Sequence, residues 1–199
     1  MILDGGFIPM DIMQYSSFRR GGKMIKICLV LIVCVFTIGS CAFMKNNTEK
    51  LHDDESKIKK TVEEMVNAIQ HRDEIAFAEM FSMTARENTD EFFSKVNEVF
   101  SFIQGEIISF GSTPGVAVDS EHEHGKKRTV VYASYWLETE DHKYYLAICE
   151  CTADTFDEKN VGVKSIYLID ADEWEEDYEY GGDGNWTLGI NIDKGNRDG

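Results

Sequence analysis

Basic residues are scarce in this chain: 20 lysines and arginines stand against 36 aspartates and glutamates over 199 residues, a formal net charge of −16. Nucleic-acid binding needs basic surface that displaces counterions from phosphates, and adsorption to anionic lipid needs a polybasic patch, so the balance argues against both. Cysteine is sparse as well. The chain has five, Cys28, Cys34, Cys41, Cys149 and Cys151, with no framework of the kind that staples small secreted domains. A long apolar run is also missing. The uncharged stretch from Ile27 to Ile38 falls short of the roughly 20 residues that a membrane-spanning helix requires. No catalytic signature occurs, and no catalytic, cofactor or metal residue is assigned from the sequence.

What is present begins with "KMIKICLVLIVCVFTIGSC", residues 23–41. Two lysines, a short apolar segment and small residues have the order of a secretory signal. The ending Ile38-Gly39-Ser40-Cys41 resembles the lipobox of bacterial lipoproteins. That resemblance implies a diacylglyceryl group on the Cys41 thiol and cleavage just before it, with residues 24–40 as signal peptide and the mature protein held on the extracytoplasmic face of the cell membrane. Two acyl chains make an adequate anchor where one is marginal, at about 0.8 kcal/mol per buried CH₂. The residues ahead of Lys23 have no amphipathic period of their own, and synthesis is expected to start at Met24, with residues 1–23 an extension outside the translated protein. Residues 1–40 carry four of the basic and two of the acidic residues, so the remaining 159 residues hold 16 basic and 34 acidic, a net charge near −18. That length suits a single domain with a real core.

Residues 41–54 are polar and irregular and are expected to act as a tether, with the folded domain over 55–171. From Glu55 the period becomes helical: Ile58, Val62, Met65, Val66 and Ile69 fall on one side, with Lys59, Lys60, Glu63, Glu64 and Asn67 on the other. Asp73 is placed to cap a second helix, Glu74 to Phe81. Asn88-Thr89 is placed to cap a third, with Phe92, Val96, Val99, Phe100 and Ile103 as its stripe and Gly105 beyond its end. After Gly105 the period is two. "EIISF" (106–110), "RTVVYASYWLET" (128–139), "HKYYLAICECTADT" (142–155) and "VGVKSIYLID" (161–170) read as strands, with a tight turn at Glu140-Asp141 and a polar loop over Gly111 to Gly125. This order predicts an α+β fold: three N-terminal helices packed on a curved antiparallel sheet. Residues 172–199 are acidic and Gly-rich and are expected to be loosely ordered, with "NWTLGINI" able to add a short edge strand.

Candidate sites are few. Alternation puts Tyr144, Leu146, Ile148 and Glu150 on one face of their strand and Tyr145, Ala147, Cys149 and Cys151 on the other. Glu150 is a carboxylate among strong strand formers. If it points inward, burial raises its pKa and makes it a candidate acid or base; if outward, it is solvated. The two remaining cysteines, Cys149 and Cys151, read as small buried hydrophobes, with a strained redox pair or a metal site as the alternatives. His142 beside Asp141 reads as a solvated hairpin tip, because adjacent strand residues face opposite ways. His122-x-His124, within "DSEHEHGKK", has ligand types suited to zinc or nickel but sits in an open loop. The tail "DADEWEEDYEYGGDGNW" lacks the calcium-loop spacing.

"FSFIQGEIISFGS" (100–112), the strand pair ending "YYLAICECTADTFDEKNVGVKSIYLI" (144–169) and the lipobox ahead of them resemble a group of lipoproteins from Gram-positive bacteria defined by domain of unknown function 5104. The resemblance covers roughly Ser56 to Asp170. It implies the nuclear transport factor 2-like fold, a cone of curved sheet closed by helices, and brings no activity with it. The expectation for function is a membrane-anchored ligand-binding or protein-interaction module rather than an enzyme, with an unidentified envelope protein or small ligand as partner. Two alternatives stand beside it: a small-molecule enzyme using a pocket in the cone, and a structural envelope protein whose homodimer forms through the outer sheet face carrying tyrosines and Trp136.

Overall fold

The computed structural model describes residues 52–173 and 185–193. The signal segment, Cys41 and most of the expected tether lie outside the described residues. Helix α1 covers the described residues 52–70, so residues 52–54, expected to belong to the tether, are already helical. Its apolar stripe is buried as the spacing requires: Ile58, Val62, Met65 and Val66 are at most 5% exposed. The other side carries the i,i+4 pairs Lys59–Glu63 at 3.7 Å and Lys60–Glu64 at 3.2 Å, which support a helix facing water. Helix α2, Glu74–Glu79, is capped by Asp73, whose side chain accepts from Ala76 N at 2.9 Å.

The described residues hold four α-helices, not the expected three. The additional one is α3, Met83–Asn88, capped by Ser82 through Ala85 N. The expected Asn88-Thr89 cap is not realised. Asn88 Nδ2 donates back to Thr84 O and the Thr89 hydroxyl to Ala85 O, so both residues close α3 instead of opening the next helix. Helix α4, Phe92–Phe102, starts after Glu91, which adopts the left-handed conformation at φ 52° and makes no side-chain cap.

Six strands form one sheet: β1 Ser109–Ser112, β2 Ala117–Glu123, β3 Lys126–Glu138, β4 Lys143–Asp154, β5 Gly162–Asp170 and β6 Gly189–Asp193. The order is β1-β3-β4-β5-β6, and β2 shares β3's edge with β1. Strand β2 lies inside the stretch expected to be a polar loop. Backbone pairing from Ala117↔Tyr132 to Glu123↔Lys126 makes it a strand, and the two-residue turn His124-Gly125, both at positive φ (48° and 80°), has the twist that suits a hairpin. Of "EIISF", only Ser109 and Phe110 fall in the strand, with Ile108 N donating to Glu138 O at 2.8 Å just ahead of it. The sheet is not wholly antiparallel either: β6, supplied by "NWTLGINI", runs parallel to β5.

The core lies between the helices and one face of the sheet. Phe77 packs against Phe81 and Phe100 at ring separations of 5.7 and 5.6 Å, and Phe81 meets Phe92 edge-on at 5.2 Å. The start of β5 is locked to the α2–α3 junction by Ser82 N→Val163 O and Val163 N→Met80 O, each 2.9 Å. Gly162 permits that approach. Its φ is +117°, and a Cβ there would lie 3.0 Å from both Met80 O and Ser82 N.

Candidate functional site

Glu150 faces the helices. The inward row of β4 runs Tyr144, Leu146 and Ile148, none above 4% exposed, and Glu150 is next in that alternation, paired across the sheet with Val131 of β3 and Val163 of β5. Thr61 of α1 donates its hydroxyl to Glu150 Oε1 at 3.1 Å. Glu150 Oε2 is sealed from solvent and receives no protein donor. Burial pushes the carboxyl up to about 7; the Thr61 hydrogen bond opposes this, the nearby Glu64 charge adds to it, and Lys57 counters it. Asp154, also buried, makes the contrast. It accepts from Phe156 N, Asp157 N and Asn160 Nδ2 at 2.8, 3.0 and 2.9 Å, as a buried carboxylate ordinarily requires.

Among the described residues the space between helices and sheet is largely filled. A cavity of about 10 Å³ remains there, among side chains such as Met65, Phe77, Val99, Leu146 and Leu168, which is room for a single water at most. Glu150 does not line it. A raised carboxyl and an enclosed cavity are thus both present but not together, and acid–base chemistry on a bound small molecule needs both in one place.

Open clefts are found on the helical side. The larger, of about 730 Å³, runs between α1 and α2, with Glu64, Asp73 and Glu79 as its acidic groups, His71 and Asn67 beside them, and Ala68, Ala76 and Met80 as its apolar floor. His71 Nδ1 sits 2.9 Å from Asn67 O. Another, of about 440 Å³, lies where α1 ends against α4 and the approach to β1; Gln70 Nε2→Ile107 O and Arg72 Nη1→Phe100 O, both 2.7 Å, tie its walls together. Sequence reasoning missed both clefts. Each is formed by surface residues of elements that meet only in the folded chain.

The remaining candidates separate cleanly. His142 is not a solvated tip: its side chain is one-third exposed and its Nδ1 lies 3.8 Å from Oδ2 of the buried Asp170 on β5, with Tyr144's ring 6.0 Å away. Its neighbour across the sheet, not Asp141, is its acidic partner. His122 sits in exposed β2 opposite Lys127, and among the described residues no group of three His, Cys, Asp or Glu side chains could hold a metal ion. Cys149 and Cys151 are free, buried thiols on the outer face, packed with Val130, Tyr132 and Trp186. Burial pushes the Cys149 thiol up to about 11, which makes it inert as a nucleophile. The tail's carboxylates between 174 and 184, and Cys41, lie outside the described residues.

A family model described as Domain of unknown function (DUF5104) matches residues 64–171. No curated protein matches the chain.

Proposed function

Since the chain belongs to the DUF5104 family, whose domain has no assigned function, we infer its role from its own residues: a lipid-anchored, extracytoplasmic module that binds a partner on its surface. The observation that carries the reading is the filled interior. About 10 Å³ between helices and sheet leaves no place for a substrate, whereas the open cleft of α1 and α2 offers acidic groups around an apolar floor. That combination suits a cationic ligand with an apolar portion, such as a basic peptide segment, since the mature chain's negative charge attracts cations and repels anions.

The anchor is the diacylglyceryl group on Cys41, and its support is the lipobox Ile38-Gly39-Ser40-Cys41 after a short apolar segment. No helix among the described residues is long and apolar enough to cross a membrane. The Gram-positive setting and the nuclear transport factor 2-like architecture belong to the same reading, supported by the order of helices then sheet. In the enzyme alternative, Glu150 is the working acid or base. In the structural alternative, dimers form through Trp136 and the tyrosines of the outer face.

Two measurements test the reading. In detergent phase partitioning of the native protein, wild type is expected in the detergent phase and Cys41→Ala in the aqueous phase if expressed without its signal segment; an unmodified wild-type thiol overturns the anchor. In crosslinking of the intact protein on membranes, Glu64→Arg with Glu79→Arg is expected to abolish partner capture and Glu150→Gln to leave it intact. The reverse pattern favours the enzyme, and loss only on Trp136→Ala favours the dimer.

A further inference from the structure

The interface between α1 and the sheet is apolar along most of its length and changes character at one end. On α1 the buried stripe runs from Met65 through Val62 and Ile58 to Asp54, which is 4% exposed. On β4 the inward row passes from Tyr144, Leu146 and Ile148 to Glu150. Each stripe thus passes from apolar side chains to a carboxyl, and each carboxyl has one oxygen, Asp54 Oδ2 and Glu150 Oε2, that is sealed from solvent without a protein donor.

Few groups face Glu150. From α1 come Thr61, which donates to Oε1 at 3.1 Å, and the charges of Glu64 and Lys57. From β3 and β5 come the cross-strand residues Val131 and Val163, which carry none. On its own strand, Cys149 and Cys151 turn to the opposite face. Lys57 is the available cation, and its ammonium is already engaged, 2.5 Å from Asp53 Oδ2 and 3.7 Å from Asp54 Oδ1.

We propose that this part of the interface is a pH-operated latch: protonated Glu150 keeps residues 52–61 of α1 seated on β4, and ionisation of Glu150 releases them. With the proton on Oε2, the group is neutral and Oε1 still accepts from Thr61. Without it, a negative charge sits where one oxygen has no donor, and Glu64 repels it. Burying such a charge is costly unless it is paired and hydrogen-bonded. β4 cannot move to relieve it, being paired on both sides along its length. Residues 52–61 of α1 can, because among the described residues their hydrogen bond to the sheet is the Thr61–Glu150 contact itself, and the buried Ile58 is what holds them otherwise; segments tied by few contacts open more readily than a paired strand. The carboxyl value of about 7 sets the switching range near neutrality. This device is independent of the anchored-module reading, and its test uses no partner and no lipid modification.

Hydrogen exchange on the full-length chain, read by mass spectrometry at pH 5 and pH 8 and corrected for intrinsic exchange, measures the latch directly. The amides of 52–61 are expected to lose protection by on the order of tenfold or more at pH 8, while those of 62–70 hold theirs. Glu150→Gln is expected to keep 52–61 protected at both values. A pH-independent ratio in wild type overturns the proposal, as does a Glu150→Gln protein that still loses protection at pH 8. A carbon-13 titration of the wild-type Glu150 carboxyl gives a second readout that needs no variant. A midpoint near 7 supports the latch, moving up in Lys57→Met and down in Glu64→Gln; a midpoint at the ordinary glutamate value rejects it.

Discussion

The two faces of the central strands carry similar residue types and end up in different environments. Inward, Val131, Ala133, Tyr135 and Leu137 of β3 meet Tyr144, Leu146 and Ile148 of β4, all at most 4% exposed. Outward, Tyr132, Ser134, Trp136 and Glu138 of β3 alternate with them at intermediate exposure. Only a small island of Val130, Cys149 and Cys151 is fully buried there, packed by Tyr132 and Trp186. Aromatic and aliphatic content does not separate the faces. Cover does: four helices lie on the inner face, and the outer island is covered by a tryptophan from the segment leading into β6. The difference places the weight of stability on the inner face and makes Glu150 the anomaly there, a carboxyl that follows Tyr144, Leu146 and Ile148 in their row.

Emptying the inner face is expected to have the largest effect. Phe77 is 1% exposed and touches the rings of Phe81 and Phe100; Phe77→Ala removes those contacts and leaves a cavity, at about 3–5 kcal/mol. On the outer face Tyr132, half-buried at 5.1 Å from the Trp186 ring, is expected to cost about 1–2 kcal/mol when cut to alanine, since its surface is only partly withdrawn from water. Denaturant unfolding of the two variants compares the faces directly. Equal losses would break the comparison.

Removing the anomaly is expected to stabilise, and only above a certain pH. The folded value of Glu150, about 7, lies above the ordinary value near 4.5 that the unfolded chain has. Below about pH 4.5 both states hold the proton and the group costs nothing. As pH rises from 4.5 to 7 the unfolded state ionises first, so folding loses stability through that window, and above 7 the penalty is complete. Its size is at most about 3.5 kcal/mol, from roughly 1.4 kcal/mol per pH unit between 4.5 and 7, and partial solvation trims it to about 2 kcal/mol. Glu150→Leu should therefore unfold at a higher temperature than wild type at pH 8 and at nearly the same temperature at pH 4.5. A pH-independent gain would mean that packing, not charge, was the constraint.

A smaller effect is expected at Asp73. Its side chain accepts from Ala76 N at 2.9 Å, and Asp73→Ala should cost about 1 kcal/mol of thermal stability, with Asp73→Asn recovering most of it. This cap was legible in the sequence, as were the stripe of α1, the turn at Glu140-Asp141 and the alternation of β3 and β4. All of these depend on residues within a few positions of one another. What escaped depends on distant partners. Only Ala85 is buried in α3, so it shows no stripe, and its cap Ser82 is positioned by a backbone bond to Val163. Strand β2 is nearly all exposed, reading "AVDSEHE", and exists because β3 offers an edge. His142 looked idle because its acidic neighbour Asp170 is far along the chain. For Glu150 the alternation named the row but not the side, since both rows are apolar enough to be covered and only the placement of α1 decides between them.

The least effect is expected at the outer face's most conspicuous contact. Lys143 Nζ lies 5.3 Å from the centre of the Trp136 ring, and a cation over an indole at an exposed site contributes about 0.5–1 kcal/mol. Lys143 is exposed and its ammonium stays hydrated, so Lys143→Met should cost no more than about 0.5 kcal/mol and add apolar contact that offsets part of that. Trp136 does not depend on the lysine for its position, because its ring lies flat against β1 where Gly111 has no side chain: a Cβ there would come within 2.7 Å of the ring. Gly111→Ala should therefore displace the indole and change its fluorescence, whereas Lys143→Met leaves the emission nearly unchanged. If the lysine variant shifts the emission as far as the glycine variant does, the ring is held by the cation and not by the bare backbone beneath it, and the outer face is more tightly organised than its exposure implies.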